Sequence, residues 1–167
     1  MQTLYLQPAA DDPRYPPGLV GTDLLGDFLL RAHARQMRAV AWYLTRFGDI
    51  AGDLRRLRQI AAFRADGQGF DAVAVDIEFT EAVELAPRNA ALVDLSRQLQ
   101  EAVPDMALGA IVLLAVVTDV LNTGYWPNFP WAQLLDLYDG SATRTGTSAR
   151  TSPGCARTSV TCARSCR

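Results

Sequence analysis

Residues 70–78 read Phe-Asp-Ala-Val-Ala-Val-Asp-Ile-Glu, and this stretch decides the fold because it is the clearest strand pattern in the 167-residue chain. A turn sequence, Asp-Gly-Gln-Gly, occupies residues 66–69 immediately before it. The side chains of a strand alternate between its two faces. One face therefore carries Val73, Val75, Ile77 and Phe79, which suit a helix-covered surface, and the other carries Ala72, Ala74, Asp76 and Glu78.

The same alternation of strand and helix repeats on both sides of this stretch. Apolar, β-prone runs at residues 3–7, 38–44 and 107–115 predict three more strands. A helical pattern of apolar residues follows each strand, and a chain organised in this way is typical of parallel strands with right-handed crossovers. The helical faces comprise Leu24, Leu25, Phe28 and Leu29, then Leu54, Leu57 and Ile60, then Leu92, Leu95 and Leu99, then Trp131, Leu134 and Leu135.

The length of the chain limits that architecture. A complete (β/α)8 barrel typically needs roughly 250 residues, whereas this chain has 167. We therefore predict an α/β fold that forms a partial (β/α)8 barrel of about four strand-helix units with parallel strands.

The composition changes abruptly after Asp139. All 18 acidic residues and 11 of the 16 arginines lie at or before it, so this part carries a net charge of −7, whereas residues 140–167 carry +5 and no acid. These last 28 residues are almost all Gly, Ser, Ala, Thr, Arg, Pro and Cys, without apolar periodicity. We predict a partial barrel domain at 1–139 and a disordered tail at 140–167. A change of reading frame near Asp139 in a GC-rich gene is a second explanation of the tail, and the nucleotide sequence decides it.

Several classes of function lack a sequence signal. The three cysteines lie beyond residue 154 at spacings that match neither zinc nor redox motifs, so we expect no cofactor and no dedicated metal site. Residues 1–10 contain no secretory signal pattern, which favours a cytoplasmic protein, and the apolar run 108–121 is too short to span a membrane. The tail arginines lack interleaved aromatics, so nucleic acid is not expected as a partner. The single histidine, His33, lies on a predicted helix and is interpreted as structural.

Asp76 and Glu78 are the strongest functional candidates because they lie at the carboxyl end of a strand, where parallel α/β barrels build their active sites. A carboxylate pair is what glycoside hydrolysis uses. The two β-carbons are roughly 7 Å apart by strand rise, a spacing that does not distinguish retaining from inverting chemistry. The same pair could instead hold a divalent cation or have a structural role. Further acids at predicted strand ends are Asp11, Asp12 and Asp49.

Aromatic residues near the same strand ends are candidate substrate-binding residues, since sugar sites use aromatic faces. Trp42 and Tyr43 lie in the second predicted strand, and Tyr125 and Trp126 lie in the loop before the last helix. Packing is the alternative for each of them. Trp131 occupies a helical core position and is interpreted as a packing residue.

Four segments together resemble a bacterial family of glycoside-hydrolase-like TIM-barrel proteins: residues 2–7, 40–44, 70–78 and 125–131. The resemblance covers about residues 2–139 and is most specific at Val-Asp-Ile-Glu, residues 75–78, and at Tyr-Trp-Pro-Asn-Phe-Pro-Trp, residues 125–131. It implies a (β/α)8 barrel and a role in carbohydrate chemistry, with Asp76 and Glu78 matching the acidic strand-end motif of the family.

The chain departs from the family pattern at both ends. Such proteins have a strand-helix unit before the position of Met1, and an apolar strand follows the position of Asp139 in them. We therefore expect a truncated glycoside-hydrolase-like protein that is inactive as encoded and would be a hydrolase if its barrel were complete. The alternatives are a non-catalytic carbohydrate-binding or interaction module, or a divalent-metal site at the same carboxylates. An open half barrel also predicts self-association through exposed sheet edges.

Overall fold

The computed structural model describes residues 2–80 and 84–143, which form one parallel sheet with helices between the strands. The strands are β1 (Thr3–Leu6), β2 (Arg38–Leu44), β3 (Ala72–Asp76), β4 (Ala107–Val112) and β5 (Gly140–Thr143). The helices are α1 (Thr22–Ala34), α2 (Ile50–Ala62), α3 (Leu85–Ala102) and the short α4 (Trp131–Leu135), with a π-helical turn at Val117–Leu121.

The strand order in space is the order in sequence, β1-β2-β3-β4-β5, and every neighbouring pair is parallel. The prediction of an α/β fold with parallel strands alternating with helices is confirmed. When each crossover is right-handed and leads to the adjacent strand, all the helices lie on the same face of the sheet. In the described part of the chain β1 and β5 are the two edges of this sheet.

The core lies between the sheet and its helices. Val73, Val75 and Ile77 of β3 belong to this core, whereas Ala74 and Asp76 on the other face are buried outside it, at 4% and 3% exposure. The helical spacing of Leu92, Leu95 and Leu99 holds, because all three are fully buried. Full burial of each such side chain contributes about 1.5–3 kcal/mol. From α2, Leu57 and Ile60 fill the same layer.

The opposite face of the sheet, the uncovered face, is the one that right-handed crossovers leave without a helix. Burial alternates along β2 and β4, so the residues of these strands that share the uncovered face with Ala74 and Asp76 are only partly buried. Leu44, Asp76 and Ile111 are register partners across three strands. This row of residues lies at the carboxyl edge of the sheet, and the candidate site is built around it.

Two aspartates occupy equivalent places at the amino edge of the sheet. Asp71 precedes β3; its carboxylate accepts the backbone N–H of Ala39 at 2.7 Å, and its own N–H donates to the carbonyl of Ala39 at 2.9 Å. Asp139 precedes β5 and makes the same pair of bonds with Leu108 of β4, at 3.0 and 2.9 Å. In both cases an aspartate clamps the incoming strand to the strand before it.

The described chain continues four residues beyond the composition break. Gly140–Thr143 form β5 and pair with β4, so the change in composition does not end the sheet. The rest of the predicted tail, residues 144–167, lies outside the described residues, as do the tail cysteines.

Candidate functional site

The carboxyl end of β3 is the centre of the candidate site. Asp76 is the last residue of β3 and is only 3% exposed, while Glu78, two residues further on, is partly buried. The backbone here is fixed from both sides. Thr45 donates to the carbonyl of Asp76 from its N–H at 3.2 Å and from its hydroxyl at 3.1 Å, and the N–H of Ile77 donates to Ile111 at 2.9 Å. The two carboxylates therefore project from a rigid strand end.

Tyr125 is brought to this strand end from the loop after the π-helical turn. Its hydroxyl donates to the backbone carbonyl of Glu78 at 2.5 Å. Burial raises the pKa of Tyr125, and the nearby carboxylates of Glu78 and Asp76 raise it further. The phenol therefore stays protonated at neutral pH beside both predicted catalytic carboxylates.

Arg88, in the first turn of α3, is a residue that the sequence analysis did not single out. It is 5% exposed, donates to the carbonyl of Thr80 at 2.8 Å, and stacks over Trp126 with 4.1 Å between its central carbon and the ring centroid. Burial lowers the pKa of Arg88. The guanidinium thus ties the segment after β3 to the loop that carries Tyr125.

Trp126 is a packing residue in this structure. It is 1% exposed; its indole N–H donates to Asn89 at 2.6 Å, and its ring makes edge contacts with Phe47 and Phe129 at centroid distances of 5.8 and 5.2 Å. Since Arg88 covers the ring as well, no face of the indole remains for a sugar. The structure does not bring Trp126 into the site as a binding surface.

Tyr43 lies on the helix-covered face, away from Asp76. It is fully buried, and its hydroxyl donates to Asp53 of α2 at 2.6 Å. Arg56 donates to the same hydroxyl at 3.4 Å and to Asp11 at 2.8 Å. Burial raises the pKa of Tyr43 and also that of Asp53. Tyr43 therefore belongs to a buried polar network and cannot reach a ligand at the uncovered face.

Trp42 lies on the uncovered face and is partly buried. Its register partner on β3 is Ala74, whose own partner on β4 is Gly109. Both partners are small residues, and they lie one step before the row of Asp76. Of the four aromatic candidates, Trp42 shares a sheet face with Asp76, and Tyr125 bonds to the backbone of Glu78.

The other strand-end acids have partners of their own. Asp49 is the N-cap of α2 and accepts the N–H of Gly52 at 3.0 Å. Asp12 accepts from the side chain of Arg14 at 2.6 Å, and this bond lowers its pKa to about 2. Both contacts are local and could be predicted from the short sequence separation.

The remaining features lie elsewhere or give no site. His33 hydrogen-bonds to Asp71 at 3.0 Å and to Gln68 at 2.7 Å, at the amino edge opposite the carboxylates. Within residues 2–80 and 84–143, no group of three or more His, Cys, Asp or Glu side chains is placed to hold a metal ion. The same residues include no helix that is long and apolar enough to cross a membrane.

Comparisons of the chain with protein-family models, with curated proteins and with solved structures gave no match. The resemblance of residues 2–139 to glycoside-hydrolase-like barrels stays a prediction.

Proposed function

We propose that the carboxyl edge of β3 is a carbohydrate site of glycoside-hydrolase type, with Asp76 and Glu78 as its working carboxylates. The observation that carries this proposal is the burial of Asp76, 3% exposed, at the end of the central strand with Glu78 two residues beyond it. Ligand sites of parallel α/β folds lie at this edge of the sheet.

Two carboxyls are sufficient for the chemistry of glycosidic bond cleavage. One protonates the leaving oxygen, and the other attacks the anomeric carbon or activates a water molecule. Asp76 is buried, whereas Glu78 is more accessible. The two carboxyls therefore differ in their access to solvent and to a substrate.

The neighbouring residues supply the binding surface. Trp42 offers an aromatic face on the same side of the sheet as Asp76. The protonated hydroxyl of Tyr125 fixes the backbone of Glu78. Arg88 acts as a positioning residue, because it holds Thr80 and Trp126 and so fixes the two segments that flank the carboxylates.

Because the chain is expected to be inactive as encoded, turnover is tested in the protein with its reading frame restored after Asp139, and binding is tested in the chain as encoded. The variants are Asp76→Asn and Glu78→Gln, with Asp105→Asn and Glu101→Gln as controls. Both control residues are exposed and lie near the amino edge of the sheet. The substrates are aryl glycosides of the common hexoses and pentoses with good and poor leaving groups. On glycosides with a poor leaving group we expect turnover to fall at least about 100-fold in both site variants, and to be unchanged in both controls.

The same assay assigns the roles. The variant that has lost the acid retains activity on glycosides with a good leaving group, and azide restores activity to the variant that has lost the nucleophile or base. Sugar binding without turnover, weakened by Asp76→Asn, would support a non-catalytic carbohydrate-binding module. If no glycoside is turned over and none is bound, the proposal of a carbohydrate site at this strand end is refuted.

A further inference from the structure

A separate hollow of about 250 Å³ lies at the carboxyl edge, between the ends of β1 and β2. Its wall includes Gln7, Asp11, Asp12, Tyr15, Leu44 and Arg46. Leu44 is the last residue of β2 and the register partner of Asp76. Neighbouring strands lie about 4.8 Å apart, so the hollow directly adjoins the candidate site.

The two aspartates in this wall each have an arginine partner within the protein. Asp12 is bonded to Arg14, at 2.6 Å from the guanidinium and 2.9 Å from the backbone N–H. Asp11 is bonded to Arg56 at 2.8 Å. Arg46 stacks over Phe79 at 4.9 Å. Carboxylates that already have a cation partner still offer lone pairs to hydroxyl groups, while they attract a free cation weakly. The wall therefore suits a neutral ligand rich in hydroxyls.

The buried polar network described above fixes one side of the hollow. Tyr43, Asp53 and Arg56 form a chain of hydrogen bonds through the layer between β2 and α2, and this chain ends on Asp11. The N–H of Phe47 adds a further bond to Asp53 at 3.3 Å. Although the buried Nε of Arg56 has no hydrogen-bond partner among the described residues, its two terminal nitrogens are bonded to Tyr43 and Asp11 and so link the network to the loop. Asp11 is thus placed in the wall before any ligand arrives.

The loop that forms the other side is closed at its base. The N–H of Val20 donates to the carbonyl of Pro8 at 2.8 Å, which brings the two ends of residues 8–20 together. Ala9 is fully buried within this loop, whereas Tyr15 is 48% exposed at the hollow. Tyr15 therefore presents an aromatic ring at the rim, beside the apolar side chain of Leu44.

We infer that this hollow is a sugar subsite that binds one neutral ring beside Asp76 and Glu78, with Tyr15 as its stacking face and Asp12 and Arg46 as its hydrogen-bonding groups. A sugar ring has apolar C–H faces and a rim of hydroxyls, which matches an aromatic rim above a polar wall. The inference rests on the proposed function, because the glycosidic bond to be cleaved would lie between the sugar ring in the hollow and the two carboxylates.

The test measures binding of methyl glycosides of glucose, galactose, mannose and xylose to the full chain by saturation-transfer NMR. We expect at least one to bind, and Tyr15→Ala to weaken it about tenfold. Tyr15→Phe keeps the ring and should stay within about twofold. Arg46→Gln should weaken binding by a similar factor to Tyr15→Ala. Phe28→Ala is the matched control, since Phe28 is 46% exposed on α1, and should change nothing.

The outcomes separate this inference from the proposed function. The inference is overturned if no methyl glycoside binds, if Tyr15→Ala binds as well as the unmodified chain, or if inorganic phosphate or Mg²⁺ displaces the glycoside. Loss of turnover in Asp76→Asn together with full binding in Tyr15→Ala would leave the proposed function and remove the subsite. Binding that depends on Tyr15, with no effect of Asp76→Asn or Glu78→Gln on any glycoside, would leave the subsite and remove the proposed function.

Discussion

Trp42 and Tyr43 are consecutive aromatic residues of β2, yet they lie in opposite surroundings. Tyr43 is fully buried on the helix-covered face, where its hydroxyl bonds to Asp53. Trp42 is partly buried on the uncovered face, next to the small residue Ala74 of β3. The contrast shows that the two faces of this sheet have different surroundings. One face carries the packing and the buried hydrogen bonds of the core, and the other carries Trp42 and Asp76, for which we propose a role in binding.

The largest effect is expected on the helix-covered face. Leu95 of α3 is fully buried, so Leu95→Ala removes buried carbon and leaves a cavity. We expect the free energy of unfolding to fall by about 2–5 kcal/mol, measured by urea denaturation with circular dichroism. Leu24→Ala is the matched control, because Leu24 is exposed on α1, and it should cost about 0.5 kcal/mol or less. Similar losses in the two variants would contradict the division between the faces.

A smaller loss is expected from Tyr43→Phe. The change removes one hydroxyl and leaves Asp53 and Arg56 with one fewer partner inside the protein. We expect the free energy of unfolding to fall by about 1–3 kcal/mol. Tyr5→Phe is the control, since Tyr5 is about half exposed on β1, and it should be nearly neutral. A neutral Tyr43→Phe would mean that the network adds no stability.

The complementary effect on the uncovered face concerns binding. Trp42→Ala should weaken binding of whichever aryl glycoside the chain binds best by about tenfold. Tyr43→Phe should change the dissociation constant less, because Tyr43 faces the helices and is linked to the hollow only through Arg56 and Asp11. Isothermal titration calorimetry compares the two variants. A larger loss of affinity in Tyr43→Phe than in Trp42→Ala would contradict a binding role for the uncovered face.

The smallest expected effect is a change in pH dependence. Burial raises the pKa of Asp53 above its usual 3.8, with hydrogen bonds from Tyr43 and Phe47 opposing that shift. The folded protein therefore retains this proton where the unfolded chain releases it, so the contribution to stability is full below the unfolded value and lost as pH rises through the folded one. The free energy of unfolding should therefore decline as pH rises through the folded pKa of Asp53. Asp53→Asn should remove that decline, which is checked by measuring the free energy of unfolding across the acid pH range. An identical decline in both proteins would contradict the raised pKa.

Much of the fold could be predicted because periodicity depends on local geometry. The spacing of Leu92, Leu95 and Leu99 identified the buried face of α3, and the alternation in residues 70–78 assigned the faces of β3. The same alternation separates Trp42 from Tyr43, although it does not say which of them faces the helices. Which of the two faces the helices depends on the side of β2 that the helical crossovers cover, and the topology of the whole sheet determines that side.

The environment of Trp126 could not be predicted in the same way. Its cover comes from Arg88, Phe47 and Phe129, and two of these residues lie far away in the sequence. No local pattern signals an arginine in the first turn of α3 stacking on a loop 38 residues later. For the same reason, Asp76 and Glu78 could be identified from their strand, whereas Tyr125 could be placed beside them only by the fold.

The aspartate clamps at the amino edge have a consequence for how a strand can be added to this sheet. Asp71 and Asp139 each follow an aromatic residue and precede a small one, as Phe-Asp-Ala and Tyr-Asp-Gly. Each is joined to the preceding strand's backbone by two bonds, one residue before the new strand begins. The information that aligns a strand is therefore carried by the residue in front of it. Gly140–Thr143 is a segment of small and polar residues, and it pairs with β4 directly after the two bonds that Asp139 makes to Leu108.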